Sequence, residues 1–288
     1  MSRPLLVEIG TEELPPKALE ALGEALADAV GERLSALNIE HSGSYYLAAP
    51  RRLAVLIDNL AEAAADQQQT QWGPPLNIAF GADGAPSKAG LAFANKNQID
   101  PAALADYTAN DGQQDKLCVT QCVAGAVTVE VLEGLLSEAL AGLPIPKRMR
   151  WGSSRAEFVR PLKWLAVLFG EQTVALELLG VASGNQSRGH RFHAPTAFIL
   201  EGAGRYREQL REHWVMVDGA ERRALIEQRV AALAGEVDGT AVIDPALLDE
   251  VASLNEWPVP LRGQFDPEFL AVPAEALVSS MASHQKSF

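Results

Sequence analysis

Residues 6–19 read Leu-Val-Glu-Ile-Gly-Thr-Glu-Glu-Leu-Pro-Pro-Lys-Ala-Leu, and this stretch decides how the chain begins to fold. The apolar run over residues 4–9, interrupted only by Glu8, predicts a buried strand. Gly10 and Thr11 end that strand, and the two prolines that follow are tolerated in the first turn of a helix. The stretch therefore predicts a strand, a polar turn and a helix.

The first sixty residues continue this pattern in the order strand, helix, strand, strand. An apolar stripe from Leu19 to Leu37 predicts a helix over residues 16–37. Strands are expected at 44–48 and 53–60. Because the strands follow one another closely, they are expected to pair with each other.

Residues 61–115 differ in composition from the segments on either side. They are rich in Ala, Gln, Asn, Asp, Gly and Pro, and they contain the turn signals Gly73-Pro74-Pro75 and Asp83-Gly84. Few large apolar side chains are available there for burial. We interpret these residues as an inserted lobe.

Strands and helices alternate again after the lobe. Strands are expected at 117–123 and 158–169, and helices at 129–140 and 205–217.

These patterns together predict an α+β fold with mixed, largely antiparallel sheets and packed helices. The predicted organisation is a core of residues 1–60 and 116–200, the inserted lobe 61–115, and a helical or α+β region 201–288 that is truncated at its C-terminal end.

The bulk composition favours a cytoplasmic protein. Hydrophobic residues make up 48% of the 288 residues, which is enough for a sizeable core. No apolar run approaches the ~20 residues that span a bilayer, and the start of the chain does not resemble a signal peptide. The two cysteines, Cys118 and Cys122, cannot form a disulfide framework, and no further soft ligands near them indicate a metal site.

The net charge of −13 argues against a general nucleic-acid binder, but the charge is unevenly distributed. Residues 146–192 hold 8 basic and 3 acidic side chains, whereas both flanking regions are acidic. This basic segment is interpreted either as solvated arginines at strand ends or as a surface for phosphate or an acidic partner.

The strongest candidate contact within the basic segment is residues 144–152, Pro-Ile-Pro-Lys-Arg-Met-Arg-Trp-Gly. Lys147, Arg148 and Arg150 can contact phosphate, and Trp151 can stack on a base. The alternative is a linker in which Trp151 fills the core and the three basic side chains face water.

A second candidate is the sequence Arg-Gly-His-Arg-Phe-His over residues 188–193. Arg188, His190 and Arg191 are predicted to meet a carboxylate or a phosphate. The alternative is a tight turn in which His190 is bonded internally. A metal held by His190 and His193 is not expected, because the neighbouring glycine and proline argue against a helix.

No residue is predicted to be catalytic or to bind a cofactor or metal. The chain lacks a phosphate-binding loop, a dinucleotide fingerprint, a nucleophile elbow and an H-E-x-x-H motif. Glu8, Glu12 and Glu13 are more readily explained by ion pairing, and Glu8 needs a partner if it is buried. Arg51, Arg52 and Arg188 are its candidate partners.

Several segments, in order along the whole chain, resemble one protein family. They are residues 7–19 (VEIGTEELPPKAL), 49–54 (APRRLA), 143–152 (LPIPKRMRWG), 158–161 (FVRP), 188–192 (RGHRF), 250–254 (EVASL), 256–259 (EWPV) and 269–277 (FLAVPAEAL). The chain is similar to the beta subunit of bacterial heterotetrameric glycyl-tRNA synthetase. Family members are considerably longer, so the resemblance is to their amino-terminal part.

The resemblance implies a subunit of glycine–tRNA ligase, an ATP-dependent aminoacyl-tRNA synthetase of protein biosynthesis. Its implied partners are the synthetase alpha subunit, tRNA(Gly) and the remaining C-terminal part of the beta subunit. ATP and glycine are expected to bind the alpha subunit, so this chain alone is expected to be inactive. The alternatives are a structural assembly module without RNA contact, and an editing-type hydrolase that uses Glu12 or His190.

Overall fold

The computed structural model describes residues 2–288 and confirms the α+β fold class. The strands are β1 (Ser2–Thr11), β2 (His41–Ala49), β3 (Arg52–Ala61), β4 (Gln67–Pro75), β5 (Thr108–Asn110), β6 (Asp115–Val123), β7 (Met149–Arg150), β8 (Glu157–Phe158), β9 (Leu162–Phe169), β10 (Gln172–Thr173), β11 (Glu177–Leu178), β12 (Val181–Ala182), β13 (Gln186–Arg188) and β14 (Ala197–Ile199). The helices are α1 (Pro16–Ala36), α2 (Leu76–Ala79), α3 (Lys88–Asn97), α4 (Thr128–Ala141), α5 (Tyr206–Glu212), α6 (Gly219–Gly235), α7 (Pro245–Leu254) and α8 (Ala274–Ser280). Short 3-10 helices cover Pro101–Asp106, Ala203–Arg205 and Pro267–Ala271, and a π-helical turn covers Met281–Gln285.

The chain divides into two compact units. One contains the residues up to Glu62 together with Val127–Phe288, and the other is Ala63–Ala126. The sequence placed the lobe at 61–115, and the difference comes from β6, which pairs with β4 and β5 inside the smaller unit. Residues 201–288, which the sequence set apart, are grouped with the larger unit.

A five-stranded antiparallel sheet in the order β10-β9-β1-β3-β2 forms the centre of the larger unit. The register places Val7, Val55 and Tyr46 on one face, and Gly23 of α1 lies against the Tyr46 ring. Helix α1 therefore covers this face, and α4 packs against α1. Because β1 is buried from Leu5 onward, its nearly continuous apolar sequence is explained by its central position.

The opposite face of the sheet is covered by α5 and the segment that follows it. Leu6, Ala54, Leu56, Ala166 and Leu168 from the strands pack there against Tyr206 and Leu210 of α5 and against Val215 and Val217. Glu8 of β1 and Arg52 of β3 also lie on this face, because the register pairs Glu8 with Ala54 and Gly10 with Arg52. Two charged groups are thus buried beside an apolar core.

The sequence predicted a helix over 205–217, but α5 ends at Glu212. Trp214 has a left-handed backbone with φ 61°, and the amide of Val215 donates to the carbonyl of Leu210 at 2.8 Å. Val215, Met216 and Val217 then lie outside any helix or strand and are buried. The prediction was wrong because burial of these side chains against the sheet outweighs their helical spacing.

Helices α6 and α7 pack together through Ile226, Leu248 and Ala252. Arg222 is buried between them, and it donates to the carbonyls of Ala252 at 2.8 Å and Met216 at 2.7 Å. Burial lowers the pKa of the Arg222 guanidinium to about 10. The arginine thus links both helices to the segment that follows α5.

In the smaller unit the sheet order is β4-β6-β5. Its core is a cluster that includes Ala79, Phe93, Leu104, Leu117 and Val119. Over residues 2–288 the helices are all too short or too polar to cross a membrane.

Candidate functional site

Two carboxylates and two guanidinium groups form a buried network on the sheet face described above. Arg52 Nη1 lies 2.9 Å from Glu8 Oε1, and Arg52 Nη2 lies 3.3 Å from Glu256 Oε1. Arg51 Nη2 lies 2.8 Å from Glu256 Oε2. The predicted structural pairing of Glu8 is therefore confirmed, with Arg52 as its partner.

Burial sets the protonation behaviour of this network. Desolvation raises the pKa of the Glu8 carboxyl above its ordinary value, and Arg52 and the hydroxyl of Ser187 partly offset that rise. Burial also acts on Glu256, but Arg52 and Arg51 outweigh it, so the pKa of Glu256 is lowered. Because each charge has an opposite charge beside it, the network is neutral as a whole, which makes its burial tolerable.

The network fixes the turn over residues 188–193. Arg52 Nη2 donates to the carbonyl of Arg188 at 2.7 Å, and Arg51 Nη2 donates to the carbonyl of Gly189 at 2.7 Å. A Cβ at Gly189 would lie 2.7 Å from the carbonyl oxygen of Ala194. Glycine is required here because the backbone of the turn approaches itself closely.

His190 organises the same turn through its ring. Its Nδ1 accepts hydrogen bonds from the amides of Phe192 at 3.2 Å and His193 at 3.3 Å. The amide of His190 donates to the carbonyl of His213 at 2.9 Å. Desolvation lowers the pKa of His190, although Glu256 opposes that shift, and Nδ1 is free to accept only while it is unprotonated.

The predicted contact residues Arg188 and Arg191 have different surroundings. Arg191 is paired with Glu12 at 3.3 Å and Glu13 at 2.8 Å, so its charge is already balanced. Arg188 is exposed, has no ion-pair partner among residues 2–288, and lies with its guanidinium carbon 5.8 Å from the centroid of the Trp164 ring. The carboxylate contact predicted for the turn is thus made by Arg191, and Arg188 presents a free cation.

Within residues 147–151, some side chains are free and others bind groups of the same chain. Lys147 is exposed, whereas Arg148 donates to the carbonyls of Ala141 at 2.9 Å and Leu143 at 3.4 Å and so caps the end of α4. Arg150 forms an exposed ion pair with Glu157 at 2.6 Å. Trp151 is half-buried.

The two predicted groups are not directly linked. Among the hydrogen bonds and ion pairs of residues 2–288, none joins the 147–151 segment to the 188–193 turn.

A row of aromatic rings extends from the 188–193 turn, and the sequence did not reveal it. The His190 and His193 rings stack at 4.5 Å, His193 lies 5.2 Å from Trp214, and Trp214 meets Trp257 edge-on at 5.2 Å. Phe192 flanks His190 at 6.1 Å. These five residues are called the aromatic row below.

A cleft lies on each side of Trp257. One, of about 170 Å³, is lined by Arg51, His190, Arg191 and Phe192 among others. The other, of about 310 Å³, is lined by Met216, Leu225, Gln228 and Arg229 among others. The aromatic row therefore leads from a cleft lined by paired charged groups at the turn to a more apolar cleft between α6 and Pro258.

The geometry does not favour hydrolysis by Glu12 or His190. Glu12 is held by Lys163 at 2.9 Å, which lowers its pKa and makes it a weaker base. His190 already uses Nδ1 to accept backbone hydrogen bonds. Within the described part of the chain, no group of three or more His, Cys, Asp or Glu residues has an arrangement that could hold a metal ion.

Comparisons with known proteins extend over the whole chain. Residues 5–288 match the family described as glycyl-tRNA synthetase beta subunit. The glycine–tRNA ligase beta subunit of Ectopseudomonas mendocina is 46% identical over 287 residues, which is 100% of this chain and 41% of that protein. The corresponding proteins of Hahella chejuensis and Pseudomonas putida KT2440 are 48% and 47% identical over 98% of this chain and 41% and 40% of theirs. The chain thus spans about two fifths of the length of these relatives.

Proposed function

Because this chain belongs to the glycyl-tRNA synthetase beta subunit family, we propose that it supports glycine–tRNA ligase activity by helping to position tRNA(Gly) and to assemble the complex. The observation that carries this proposal is the 46% identity over the full length of the chain. The match to the family covers residues 5–288 of the chain. A role in charging tRNA implies action in the cytoplasm, where translation takes place.

Contact with tRNA is supported by the exposed cations on an otherwise acidic chain. Lys147 and Arg188 are solvent-facing and form no ion pair within residues 2–288. A cation that is not already neutralised gains most from a phosphate, because it displaces condensed counterions from the RNA. Arg188 also lies against an indole, which holds the guanidinium in a defined position.

In this proposal the alpha subunit binds ATP and glycine and activates the glycine. The residues of this chain would keep the surfaces that meet a partner in a fixed conformation. Arg51 and Arg52 fix the backbone of the 188–193 turn, and His190 shapes its tip. A rigid turn loses little conformational entropy when it meets a partner, which favours binding.

The second candidate function is assembly without RNA contact. Three of the predicted cations favour it, because Arg148, Arg150 and Arg191 are already engaged by groups of this chain. The net charge of −13 also favours a protein partner over RNA. An acidic surface of this kind suits a partner with a basic face.

Two measurements on the 288-residue chain separate these functions. Retardation of tRNA(Gly) in a gel at low salt tests RNA contact, and co-purification with the alpha subunit tests assembly. We expect the chain to retard tRNA(Gly), and to do so less when Lys147 and Arg188 are replaced by alanine. Capture of the alpha subunit without any retardation of tRNA would support the assembly module instead.

A further inference from the structure

The aromatic row leaves large aromatic rings exposed to solvent. Phe192 is 80% exposed and Trp214 is 45% exposed. Three separate segments contribute the rings, and each segment is held by its own buried contacts, such as the Arg51 bond to Gly189 and the Arg222 bond to Met216. A contiguous exposed aromatic surface whose backbone segments are held by buried contacts is typical of a binding site.

The backbone at Trp214 adds an independent observation. Its φ of 61° is unusual for a bulky residue, and such a conformation costs of order 1–3 kcal/mol when the residue is not glycine. An asparagine or glycine at this position would avoid that cost. The indole is nevertheless directed to the surface between His193 and Trp257. The left-handed conformation that ends α5 thus places this indole beside the other rings of the row.

We propose that the aromatic row is a stacking surface for unpaired nucleotides of an RNA strand. This inference rests on the proposed function, because tRNA contact supplies the class of ligand. Nucleobases stack on aromatic side chains whatever their sequence, since every base presents a π-face. Only unpaired bases can reach the rings, so the surface selects single-stranded segments over duplex.

The side chains around the row favour RNA over an apolar peptide. Two of the five rings are imidazoles, whose edges carry hydrogen-bonding nitrogen atoms. Arg51, Arg191 and Arg211 also line the two clefts, but each is already paired with a carboxylate of this chain. Arg229 has no ion-pair partner among residues 2–288, so it is available for a phosphate.

The larger cleft gives the row a defined end. Its volume of about 310 Å³ is at the lower end of small-molecule sites, which span ~300–1,000 Å³. Met216, Leu225 and Pro258 provide apolar walls, and Gln228 provides an amide that can donate and accept. A base bound in this cleft could stack against Trp257 and form a hydrogen bond with Gln228.

The test uses the 288-residue chain and two labelled RNA probes. One is a 12-nucleotide single strand, and the other is a hairpin in which the same nucleotides are paired. Binding is followed by fluorescence anisotropy over a series of salt concentrations. The variants are Phe192→Ala and Trp214→Asn, and the matched control is Trp72→Ala, since Trp72 is 46% exposed but lies in β4 of the other unit.

We expect the single strand to bind more tightly than the hairpin. Phe192→Ala and Trp214→Asn should each weaken that binding by about 5- to 100-fold, with little change in salt dependence, because stacking releases no counterions. Trp214→Asn should keep or raise the melting temperature, because asparagine tolerates the left-handed backbone. A residue with only a structural role would lose stability and leave RNA binding unchanged.

Three outcomes would overturn the inference, and they are distinguishable. If tRNA(Gly) is retarded but both variants bind RNA as the unmodified chain does, the row is not the RNA site and the proposed function stands. If the variants lose only capture of the alpha subunit, the row is a protein-docking surface. If the chain binds neither probe nor tRNA(Gly), RNA contact itself fails together with the row.

Discussion

Gly10 of β1 and Trp164 of β9 are cross-strand partners, and the indole covers the position that a side chain at Gly10 would occupy. An ideal Cβ at Gly10 would lie 1.9 Å from Cδ2 of Trp164. The guanidinium carbons of Arg52 and Arg188 lie 5.5 and 5.8 Å from the centroid of the same ring. The missing side chain at Gly10 thus lets one indole contact both the buried network and the exposed turn.

Replacing Gly10 with alanine should therefore destabilise the protein. The added methyl group forces the indole or the strand to move, and overpacking of this kind typically costs about 1–3 kcal/mol. Urea unfolding monitored by circular dichroism measures the effect. Gly134→Ala is the matched control, because Gly134 lies in α4 with no atom within 4 Å of its Cβ position, and it should gain about 0.5–1 kcal/mol. Equal stability of both variants would contradict the packing described here.

Removing the charge of Arg52 should be among the most damaging single changes. Arg52→Met leaves Glu8 buried without its partner, and breaking a buried pair from one side costs about 3–5 kcal/mol. The free energy of unfolding from urea titration is the readout. Arg150→Met removes one member of an exposed pair and should leave stability nearly unchanged. A mild effect of Arg52→Met would mean that the network does not hold the fold.

Acidification should loosen the 188–193 turn through His190. The folded-state pKa of His190 is lowered from 6.5, so the unfolded chain binds more protons and stability falls as the pH drops below about 6.5. Glu256, whose pKa is also lowered, adds a loss below its ordinary value of 4.5. Desolvation, His193 and Arg51 disfavour protonation of His190, and Glu256 favours it.

Thermal melts across this pH range test the role of His190. His190→Asn should reduce the loss of stability near pH 6, because an asparagine oxygen can accept the same backbone amides without titrating. His190→Ala should lower stability even at neutral pH. An unchanged pH profile in His190→Asn would assign the effect to other groups.

The two free cations should contribute separately to RNA affinity. Lys147→Ala and Arg188→Ala should each weaken binding of tRNA(Gly) and reduce the log–log salt slope by about 0.7–0.9 if each meets one phosphate. Arg148→Ala should instead lower the melting temperature, because it removes a cap from α4. Salt titrations of the variants measure the slopes. A steeper or unchanged slope in both cation variants would remove these residues from the interface.

Amide exchange should be faster in the smaller unit than in the central sheet. Strand β4 is largely exposed, whereas β9 is buried along nearly its whole length. Local opening costs less where few apolar contacts are lost. Hydrogen–deuterium exchange with mass spectrometry should show Gln67–Pro75 exchanging before Leu162–Phe169. Slower exchange in β4 would contradict this ranking.

The sequence alone predicted the elements that are set by interactions within one segment of the chain. Helix α1 was predicted at 16–37 and is observed at Pro16–Ala36, because prolines at its start and a regular apolar stripe act within the segment itself. The apolar run over residues 4–9 likewise predicted β1. Because a buried carboxylate needs a partner, the sequence also indicated three arginines as candidate partners of Glu8. Family resemblance, which depends on ordered motifs, also required no structure.

Tertiary structure decided what depends on contacts between distant segments. Arg52 pairs with Glu8 because the register of β1 and β3 puts both on one face, and no spacing in the sequence specifies that register. The aromatic row joins residues 190, 192, 193, 214 and 257, which only packing brings within ring-contact distance. Helix α5 stops at Glu212 because burial of the following residues outweighs their local propensity. Helix and strand propensities depend on residues that are close in sequence. Burial and charge pairing depend on residues that become neighbours only in the folded protein, so the tertiary structure is needed to identify them.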